Sequence, residues 1–429
     1  LFSLKSAVRV PAVQFQASFT QMPGRSAVPS DDTSFSLKKI SVAAFGPSLL
    51  FGIGEGAIYP VIALSARELG ASVALSGIIV ALIGIGSLLN NIPAAILTAR
   101  FGERRAMVGA AIVAIIALVI CLLAPNPFTL GVGILLVGMT RAVFLLARQT
   151  YLTEAVPIDM RARALSTLGG VTRIGMFIGP FAGAGLMHFM DLPGAYVVAI
   201  VTFIFMAMLA FAIPDLPQQT PHENASVAPS ASGLRQIARA HFKTYLTLGM
   251  GCLLVAAVRS SRQVIIPLWA AHIGIDAATT SMVYGLMGAI DMLLFYPAGK
   301  VMDHKGRAAV AIPSMIIMAL CLAAMPLTTS LWTFVMVTMI LGLGNGISSG
   351  LVMTVGADAS PRQGRTQFLG IWRFMADIGN SGGPLLLSAF TAAASLAAGM
   401  VAIGALALIS AGIFWRWLPA RLSKPASRT

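Results

Sequence analysis

The sequence predicts an all-α membrane protein with twelve transmembrane helices arranged as two pseudo-symmetric six-helix bundles. Hydrophobic residues make up 57% of the 429-residue chain and charged residues 10%, whereas about a quarter of an ordinary soluble domain is charged. Apolar stretches of about 20 residues, which is long enough for a helix to cross the hydrocarbon core of a bilayer, recur along the chain. The second half of the sequence also repeats the first half at a constant offset.

The repeat has an offset of 204 residues, as Pro180 and Pro384 illustrate (384 − 180 = 204). The same shift brings Gly84 onto Gly288 without a gap. Further matched pairs are Pro93 and Pro297, Gly102 and Gly306, Pro157 and Pro361, Arg161 and Arg365, Gly175 and Gly379, and Gly179 and Gly383. A duplicated six-helix unit of this kind is typical of membrane transporters, whose substrate binds at the interface between the repeats near the bilayer midplane.

The apolar stretches predict the helices, and the polar stretches between them predict the domain boundaries. The predicted spans are 41–66, 74–98, 106–124, 128–152, 163–187, 194–213, 244–270, 279–302, 308–327, 331–356, 366–390 and 393–415. The predicted domains are a disordered N-terminal tail at 1–37, six-helix bundles at 38–213 and 243–418, a cytoplasmic linker with an amphipathic end at 214–242, and a cytoplasmic tail at 419–429. The basic residues before Asp31 also leave open an organellar transit peptide or translation from upstream of the true start.

The basic residues lie mainly on one side of the predicted membrane topology. The net charge of +14 could suggest a nucleic-acid partner, but most of it falls in loops that are cytoplasmic if the N-terminus is inside. These residues include Lys38, Arg100, Arg105, Arg161, Arg239, Lys305, Arg365 and Arg421, whereas the outer loops hold Arg67. Because basic loop residues bias orientation, we expect both termini in the cytoplasm. The charge then reflects topology, so we expect no nucleic-acid partner. We also expect a monomeric protein surrounded by lipid in a bacterial inner membrane.

The three cysteines do not form a functional pattern. Cys121, Cys252 and Cys321 lie inside apolar spans, far from any Cys-x-x-Cys spacing, which argues against disulfides, zinc and a cysteine nucleophile. The five histidines are scattered, and none pairs with a carboxylate at metal-ligand spacing. We therefore expect neither a metal site nor another cofactor.

A loop rich in glycine and charge follows the eighth predicted span. It reads Gly299-Lys-Val-Met-Asp303-His-Lys-Gly306-Arg307, and the pattern G-x-x-x-D-x-x-G-R resembles the cytoplasmic loop motif of the major facilitator superfamily. That superfamily also has twelve helices in two halves joined by a long central loop, so the resemblance covers residues 38–418. It implies a loop that helps to close the cytoplasmic side, although a simple polar turn is the alternative. Gly299 would allow close helix approach, Gly306 a tight turn, and Asp303 charge-assisted hydrogen bonds from loop arginines.

The first-half copy of this loop departs from the pattern. Ala95 and Ala99 replace the glycine and the aspartate, and Glu103 stands where a basic residue is usual. The residues of the motif region that remain are Arg100, Gly102, Arg104 and Arg105. We therefore expect the first-half loop to contribute less to closing the gate.

The fifth predicted span contains Gly175-x-x-x-Gly179-Pro180-x-x-Gly183, which is similar to the antiporter motif of drug/proton exchangers in this superfamily. Small residues four apart let helix backbones approach closely, and Pro180 kinks the helix and frees a carbonyl group. The resemblance implies export by exchange. Most of the string recurs 204 residues later, which leaves open that it serves only packing between the halves.

Nine charged residues are embedded in the predicted spans, away from the span ends, where a charge at the helix centre costs roughly 2.5–3.5 kcal/mol. They are Glu55, Arg141, Arg148, Arg173, Arg259, Arg262, Asp291, Arg373 and Asp377. Such residues must face a central cavity or one another; the alternative to a working site is a set of static ion pairs. The offset matches Glu55 with Arg259 and Arg173 with Asp377, and Arg373 shares a helix face with Asp377. The arginines assigned to the substrate cavity are Arg141, Arg173, Arg259, Arg262 and Arg373.

Glu55 is the principal candidate for proton coupling, followed by Asp377 and Asp291. Of the embedded groups only the acids can exchange protons, since arginine stays protonated. Glu55 lies about fourteen residues into its predicted helix and so near the midplane, and its glycine neighbours would leave the carboxylate open to water or substrate. Drug/proton antiporters often carry such an acid in the first helix. Arg141 resembles their fourth-helix arginine, although Phe144-Leu replaces the usual Gln-Gly.

These features together predict a secondary active transporter, which resembles a proton-coupled exporter of a drug or another small organic compound and rocks its two halves about a central site. Six embedded arginines against three acids leave a carrier of organic anions or metabolites as an alternative. A polytopic membrane enzyme or a non-transporting sensor is the alternative of another class. Such an enzyme would need a cluster of His, Asp and Glu in an interfacial loop, which the sequence does not contain.

Overall fold

α-Helices form nearly the whole of the chain that the structure describes. The computed structural model describes residues 37–213, 231–361 and 363–418. The helices of the first half are α1 (Leu37–Ile58), α2 (Ile62–Glu68), α3 (Val73–Phe101), α4 (Glu103–Leu122), α5 (Pro127–Ala155), α6 (Ile158–Met190) and α7 (Pro193–Ala212). Those that follow are α8 (Ala231–Ala240), α9 (Phe242–Thr244), α10 (Met250–His272), α11 (Ala277–Lys305), α12 (Ala308–Ala324), α13 (Leu331–Ile347), α14 (Leu351–Ala359), α15 (Arg365–Ala393) and α16 (Leu396–Trp417).

These helices supply two sets of six membrane spans. Within the described residues, ten spans are long and apolar enough to cross a membrane by length and composition. α1 with α2, and α13 with α14, form one span each. α6 and α15, with 33 and 29 residues, occupy the positions of the fifth and eleventh spans and carry embedded charges. The predicted all-α membrane fold is confirmed.

The 204-residue repeat is visible in the helix boundaries. α3 and α11 are both 29 residues long, and both of their ends differ by 204. The turns that flank α3 contain Gly70 and Gly102, with φ of 89° and 81°, and their counterparts Gly274 and Gly306 have φ of 80° and 90°. Glycine adopts this backbone region at no steric cost, so Gly306 has the turn conformation that the sequence predicted.

Two spans are interrupted where the sequence predicted continuous helices. α1 ends at Ile58 and α2 begins at Ile62, with Pro60 between them, which lacks the N–H group that a continuing helix needs. α13 ends at Ile347, and α14 begins after Gly350, whose φ of 84° lies in the left-handed region. Each break places a bend in a helix that carries part of the site described below.

The predicted linker ends in a short helix. α8 occupies residues 231–240, and its Ile237 packs against Gly364 just before α15. Arg235 and Arg239 are exposed, as expected of an amphipathic segment before the seventh span. The predicted tails, the rest of the linker and Arg362 lie outside the described residues, so the boundaries of the tails and bundles stay predictions.

The two halves pack together at the end of the bundle that contains Gly70, which we call the Gly70 end. There α3 packs on α15, and a Cβ added at Gly77 would collide with the Ser388 hydroxyl. On the other side of the interface α11 packs on α6, where a Cβ at Gly285 would lie 2.7 Å from the Phe181 ring. Small residues thus allow the halves to meet closely at this end.

The opposite end holds the turn residues Gly102 and Gly306, and we call it the Gly102 end. Toward this end Asn91 of α3 and Arg373 of α15 are exposed. Asn91 also faces the Asp377 carboxylate of α15, across the interface between the halves. Exposed polar side chains between facing membrane helices line a water-filled space. We infer that the halves enclose a cleft that opens toward the Gly102 end.

Candidate functional site

A buried ion pair joins the first and fourth spans. Glu55 lies on α1 and Arg141 on α5, and Nη1 of Arg141 donates to both carboxylate oxygens of Glu55. The same nitrogen donates to the Tyr59 hydroxyl at 2.8 Å. The Glu55 side chain is 3% exposed and that of Arg141 is 27% exposed. The carboxylate is thus sealed behind a guanidinium that itself reaches the cleft.

The glycines beside Glu55 serve helix packing. A Cβ added at Gly54 would collide with the Phe203 ring of α7, and one at Gly56 would lie 2.8 Å from the Met176 carbonyl oxygen of α6. The expectation that these glycines leave the carboxylate open to water or substrate is therefore wrong, because α6 and α7 fill that space. A cavity of about 10 Å³ borders Glu55 and Phe203, which is roughly the room that one water molecule needs.

Arg148 lies further along α5 among aromatic rings. Its Nη1 donates to the Thr172 hydroxyl at 2.8 Å, and its guanidinium lies 5.7 Å from the ring centroids of both Phe51 and Phe144. Its Nε is buried without a hydrogen-bond partner among the described residues. Cation–π contacts stabilise a desolvated cation, so Arg148 ties α5 to α1 and α6. Phe144, which stands where the resembling motif has a polar residue, supplies one of those rings.

The second half contains an equivalent contact of different chemistry. The offset places Arg259 of α10 at the position of Glu55 and Asn345 of α13 at the position of Arg141 (259 − 55 = 345 − 141 = 204). Arg259 Nε donates to Asn345 Oδ1 at 2.8 Å, and Asn345 Nδ2 donates to Asp291 Oδ2 at 2.8 Å. Asp291 Oδ1 is buried and has no partner in the described part of the chain. The Asn345 amide thus bridges a cation and an anion.

Two more of the predicted cavity arginines lie near this network. Arg262 Nε donates to the Arg259 carbonyl oxygen at 3.0 Å. Arg173, on α6 of the first half, donates to the Ser349 hydroxyl of the second half at 2.9 Å and lies 4.1 Å from the Phe295 ring centroid. The structure therefore brings arginines of both halves to one region of the cleft.

Arg373 and Asp377, which share a face of α15, are not joined as a static pair. Between 363 and 418, where both residues are described, their side chains make no ion pair, and Arg373 is exposed. Asp377 faces Asn91, and both Arg373 and Arg141 act on its carboxylate electrostatically. Asp377 therefore belongs to the cleft, within the field of the Glu55–Arg141 pair.

Arg307 holds the predicted gating loop together. Its Nε donates to Asp358 at 2.8 Å, and its Nη1 donates to Asp303 at 3.1 Å and to the Met302 carbonyl oxygen at 2.7 Å. The carboxylate of Asp358, and then that of Asp303, raises the pKa of Arg307 above its ordinary value. These contacts tie the turn before α12 to the end of α14 in the same half. A Cβ at Gly299 would meet nothing within 4 Å, so the expected close helix approach there is wrong for this conformation.

The first-half loop is anchored by a different contact. Arg104 donates to the Phe211 carbonyl oxygen at 2.6 Å and lies 4.9 Å from the Phe211 ring centroid. Arg100 lies 5.5 Å from the Phe101 ring centroid, next to the turn at Gly102. The loop thus contacts the end of α7 without the aspartate of the second-half motif.

The antiporter-like string on α6 packs α6 against α1. Its residues are Gly175, Gly179, Pro180 and Gly183. A Cβ at either of the first two glycines would collide with the α1 backbone. In the second half Gly379 and Gly383 pack in the same way on the α10 backbone. The close approach is therefore observed, but it lies inside each half, and the expectation of packing between the halves is wrong.

Sequence reasoning missed several polar partners in these networks. They are Tyr59, Thr172, Asn345, Ser349 and Asp358. The offset could have found Asn345, because it is the counterpart of Arg141 and an isolated amide within an apolar span. The hydroxyl groups gave no such signal, since serine, threonine and tyrosine occur throughout these helices.

Two six-helix bundles with a charge-lined cleft between them define a membrane transporter. The family model of the Major Facilitator Superfamily matches residues 45–259 and 248–429. The chain belongs to the major facilitator superfamily and is a transporter rather than an enzyme.

Among curated proteins the chain is similar to multidrug resistance proteins named MdtG. The protein of Salmonella choleraesuis is 25% identical over 287 residues, which are 65% of this chain and 69% of that protein. The protein of Citrobacter koseri is 28% identical over 152 residues, or 34% of this chain and 37% of that protein. The chain thus matches less than half the length of several of these relatives.

Solved structures of other transporters share the fold. A bacterial homolog of the human lysosomal transporter Spinster, in an inward-facing and unoccupied conformation, has a TM-score of 0.71 at 16% identity, covering 88% of this chain and 96% of its own. A D-xylose-proton symporter has a TM-score of 0.70 at 14% identity, covering 91% of this chain and 100% of its own. At these identities the likeness shows the fold alone, and it confirms the two-bundle prediction.

Proposed function

We propose that this transporter is a proton-coupled exporter of a small organic compound, which works by alternating access in a bacterial inner membrane with both termini in the cytoplasm. Its similarity to multidrug resistance proteins supports export. The antiporter-like glycine string of α6 agrees with exchange. Lys305 and Arg307, with Arg100 and Arg104, lie at the Gly102 end, which supports a cytoplasmic location for that end.

The proposed proton coupling depends on the contact between Glu55 and Arg141. A guanidinium stabilises the ionised form of a neighbouring carboxylate, whereas burial without such a partner favours the protonated form. Glu55 is buried and Arg141 reaches the cleft, so a movement of Arg141 changes what the carboxylate binds. When Arg141 leaves, a proton takes its place on Glu55; when Arg141 returns, the proton is released.

Alternating access is proposed because the two halves are packed together at the Gly70 end and separated at the other. With both termini in the cytoplasm the Gly70 end lies outside, and the cleft opens to the cytoplasm, where an exporter takes up its substrate. Export then requires α3 to separate from α15 and α11 from α6, while the Gly102 end closes. The loops anchored by Arg104 and Arg307 lie at that end, where they can hold the cytoplasmic side shut.

Transport by the purified full-length protein in liposomes tests the proposal. A panel of labelled drugs and metabolites is presented outside liposomes whose interior is acidic, neutral or alkaline. Proton-coupled exchange predicts that accumulation is largest with an acidic interior and disappears when a protonophore collapses the gradient. Protein-free liposomes correct for passive entry. Protein-dependent transport that ignores the pH gradient contradicts proton coupling.

A further inference from the structure

The surface of α10 that faces the cleft carries two arginines. From Leu254 to Ala270 every residue is buried except Arg259, Arg262 and Gln263. Neighbouring helices therefore enclose α10 on its other sides, and these three side chains open onto the cleft. Arg259 and Arg262 are three residues apart and so lie on the same face of the helix.

These two guanidinium groups have unused donors. Each has five N–H donors and no acceptor, but Arg259 bonds Asn345 through Nε and Arg262 bonds a backbone oxygen through Nε. Nη1 of Arg262 contacts the Met287 sulfur at 3.5 Å. Among the described residues, no oxygen accepts from the terminal nitrogens of either arginine. Both terminal nitrogens of Arg259 and Nη2 of Arg262 are also not enclosed, unlike Nε of Arg148. They therefore face the open space of the cleft.

The charges around this surface do not cancel. Arg262 and Arg173 both act electrostatically on Arg259, and Asp291 opposes them. Three cations therefore share one carboxylate, which is bound by the Asn345 amide. Neighbouring like charges repel each other, and an anion between the arginines would relieve that repulsion. The site has the charge and the donors to bind an anion.

We propose that Arg259 and Arg262, with Arg173 opposite them, bind the carboxylate of an amphipathic organic acid that the protein transports. The planar guanidinium fork matches a carboxylate through two parallel hydrogen bonds. The Phe295 ring beside Arg173 is exposed and supplies an apolar contact for the rest of the molecule. The inference rests on the proposed transport function and adds the substrate class to it.

Three compounds with one apolar skeleton test the charge preference: 4-phenylbutyrate, 4-phenylbutylamine and 4-phenylbutanol. Each is titrated into the purified full-length protein in detergent at neutral pH, and the melting temperature and Kd are measured. Phenylbutyrate should raise the melting temperature and bind at least about tenfold more tightly than the amine or the alcohol, since hydrogen bonds between charged groups add at least that much affinity. Absence of binding by phenylbutyrate, or equal binding of the amine, overturns the inference.

Variants of the arginines assign the binding to this surface. Arg259→Gln and Arg262→Gln should each weaken phenylbutyrate binding about tenfold, and Arg262→Lys should recover part of the loss because it keeps the charge. Arg416→Gln makes the same change at an exposed position near the end of α16 and should bind like wild type. Wild-type binding by both Gln variants overturns the inference. Proton-driven transport of the amine or the alcohol but not of phenylbutyrate also overturns the inference, while the proposed function remains. Binding of phenylbutyrate without proton-driven transport contradicts the proposed function alone.

Discussion

Arg141 donates to both carboxylate oxygens of Glu55, and 204 residues later Asn345 and Arg259 are hydrogen-bonded at the equivalent positions. Both contacts join the first and fourth spans of a half. The first half has a complete ion pair there. In the second half the cation is Arg259, and the Asn345 side chain lies between it and the Asp291 carboxylate. The duplicated unit has therefore kept the contact between two helices while its charges have diverged. This asymmetry fits a proton site in one half and a substrate site in the other.

Removal of the Asn345 amide should destabilise the second half. Asn345→Ala leaves Arg259 and Asp291 without their shared partner, and an unsatisfied buried polar group costs about 1–3 kcal/mol. The melting temperature in detergent should fall accordingly. Thr338→Val is the matched control on α13, because the Thr338 hydroxyl is buried without a partner in the described residues and its removal should be neutral or stabilising. Equal stability of Asn345→Ala and wild type would show that the bridge contributes nothing.

A larger side chain in the α6 string should disrupt the packing of the first half. Gly179→Val places a side chain against the α1 backbone, and overpacking of this kind costs about 1–3 kcal/mol. The melting temperature should drop and transport should be lost. Gly185→Val, on the same helix, meets nothing within 4 Å at its Cβ and should retain both. Equal melting temperatures and transport rates of the two variants would contradict this role of Gly179 in packing.

The sequence predicted the helices and the repeat better than the contacts inside the cleft. Hydrophobic stretches and turn glycines such as Gly102 are local signals, so they predicted the spans and the 204-residue relation. Partners across helices depend on how each helix is rotated about its axis, which no local signal records. Gly54 therefore packs against Phe203 where an open face was expected. For the same reason Arg373 and Asp377, which share a face of α15, make no direct ion pair in the described part of the chain.

Changes in the loop around Arg307 should affect transport more than stability. Asp303 is largely exposed, and an exposed ion pair contributes only about 0–1 kcal/mol. We expect Asp303→Asn to slow transport while expression and substrate binding stay close to wild type. Arg307→Gln should slow transport further, because it also loses Asp358 and the Met302 carbonyl. Initial rates and equilibrium binding in liposomes measure both effects. A wild-type rate for Asp303→Asn would mean that the loop is only a turn.

The orientation can be tested by cysteine labelling in intact cells. Glu223→Cys lies in the predicted cytoplasmic linker and should be protected from a membrane-impermeant maleimide. Ile275→Cys lies in the turn at the Gly70 end and should react. The native cysteines are buried, so a background without added cysteine should label weakly. The reverse pattern would contradict the proposed orientation of both termini.

Proton-driven transport by Glu55→Gln is the decisive test of proton coupling at Glu55. The substitution keeps the shape of the side chain and its contact with Arg141 but removes the group that titrates. Liposomes containing the variant are compared in two modes: accumulation driven by an acidic interior, and exchange of labelled for unlabelled substrate without a gradient. Glu68→Gln, an exposed acid at the end of α2, serves as the control and should behave like wild type. If Glu55 carries the coupled proton, Glu55→Gln loses accumulation and keeps exchange, whereas a full proton-driven rate in this variant rules out that role.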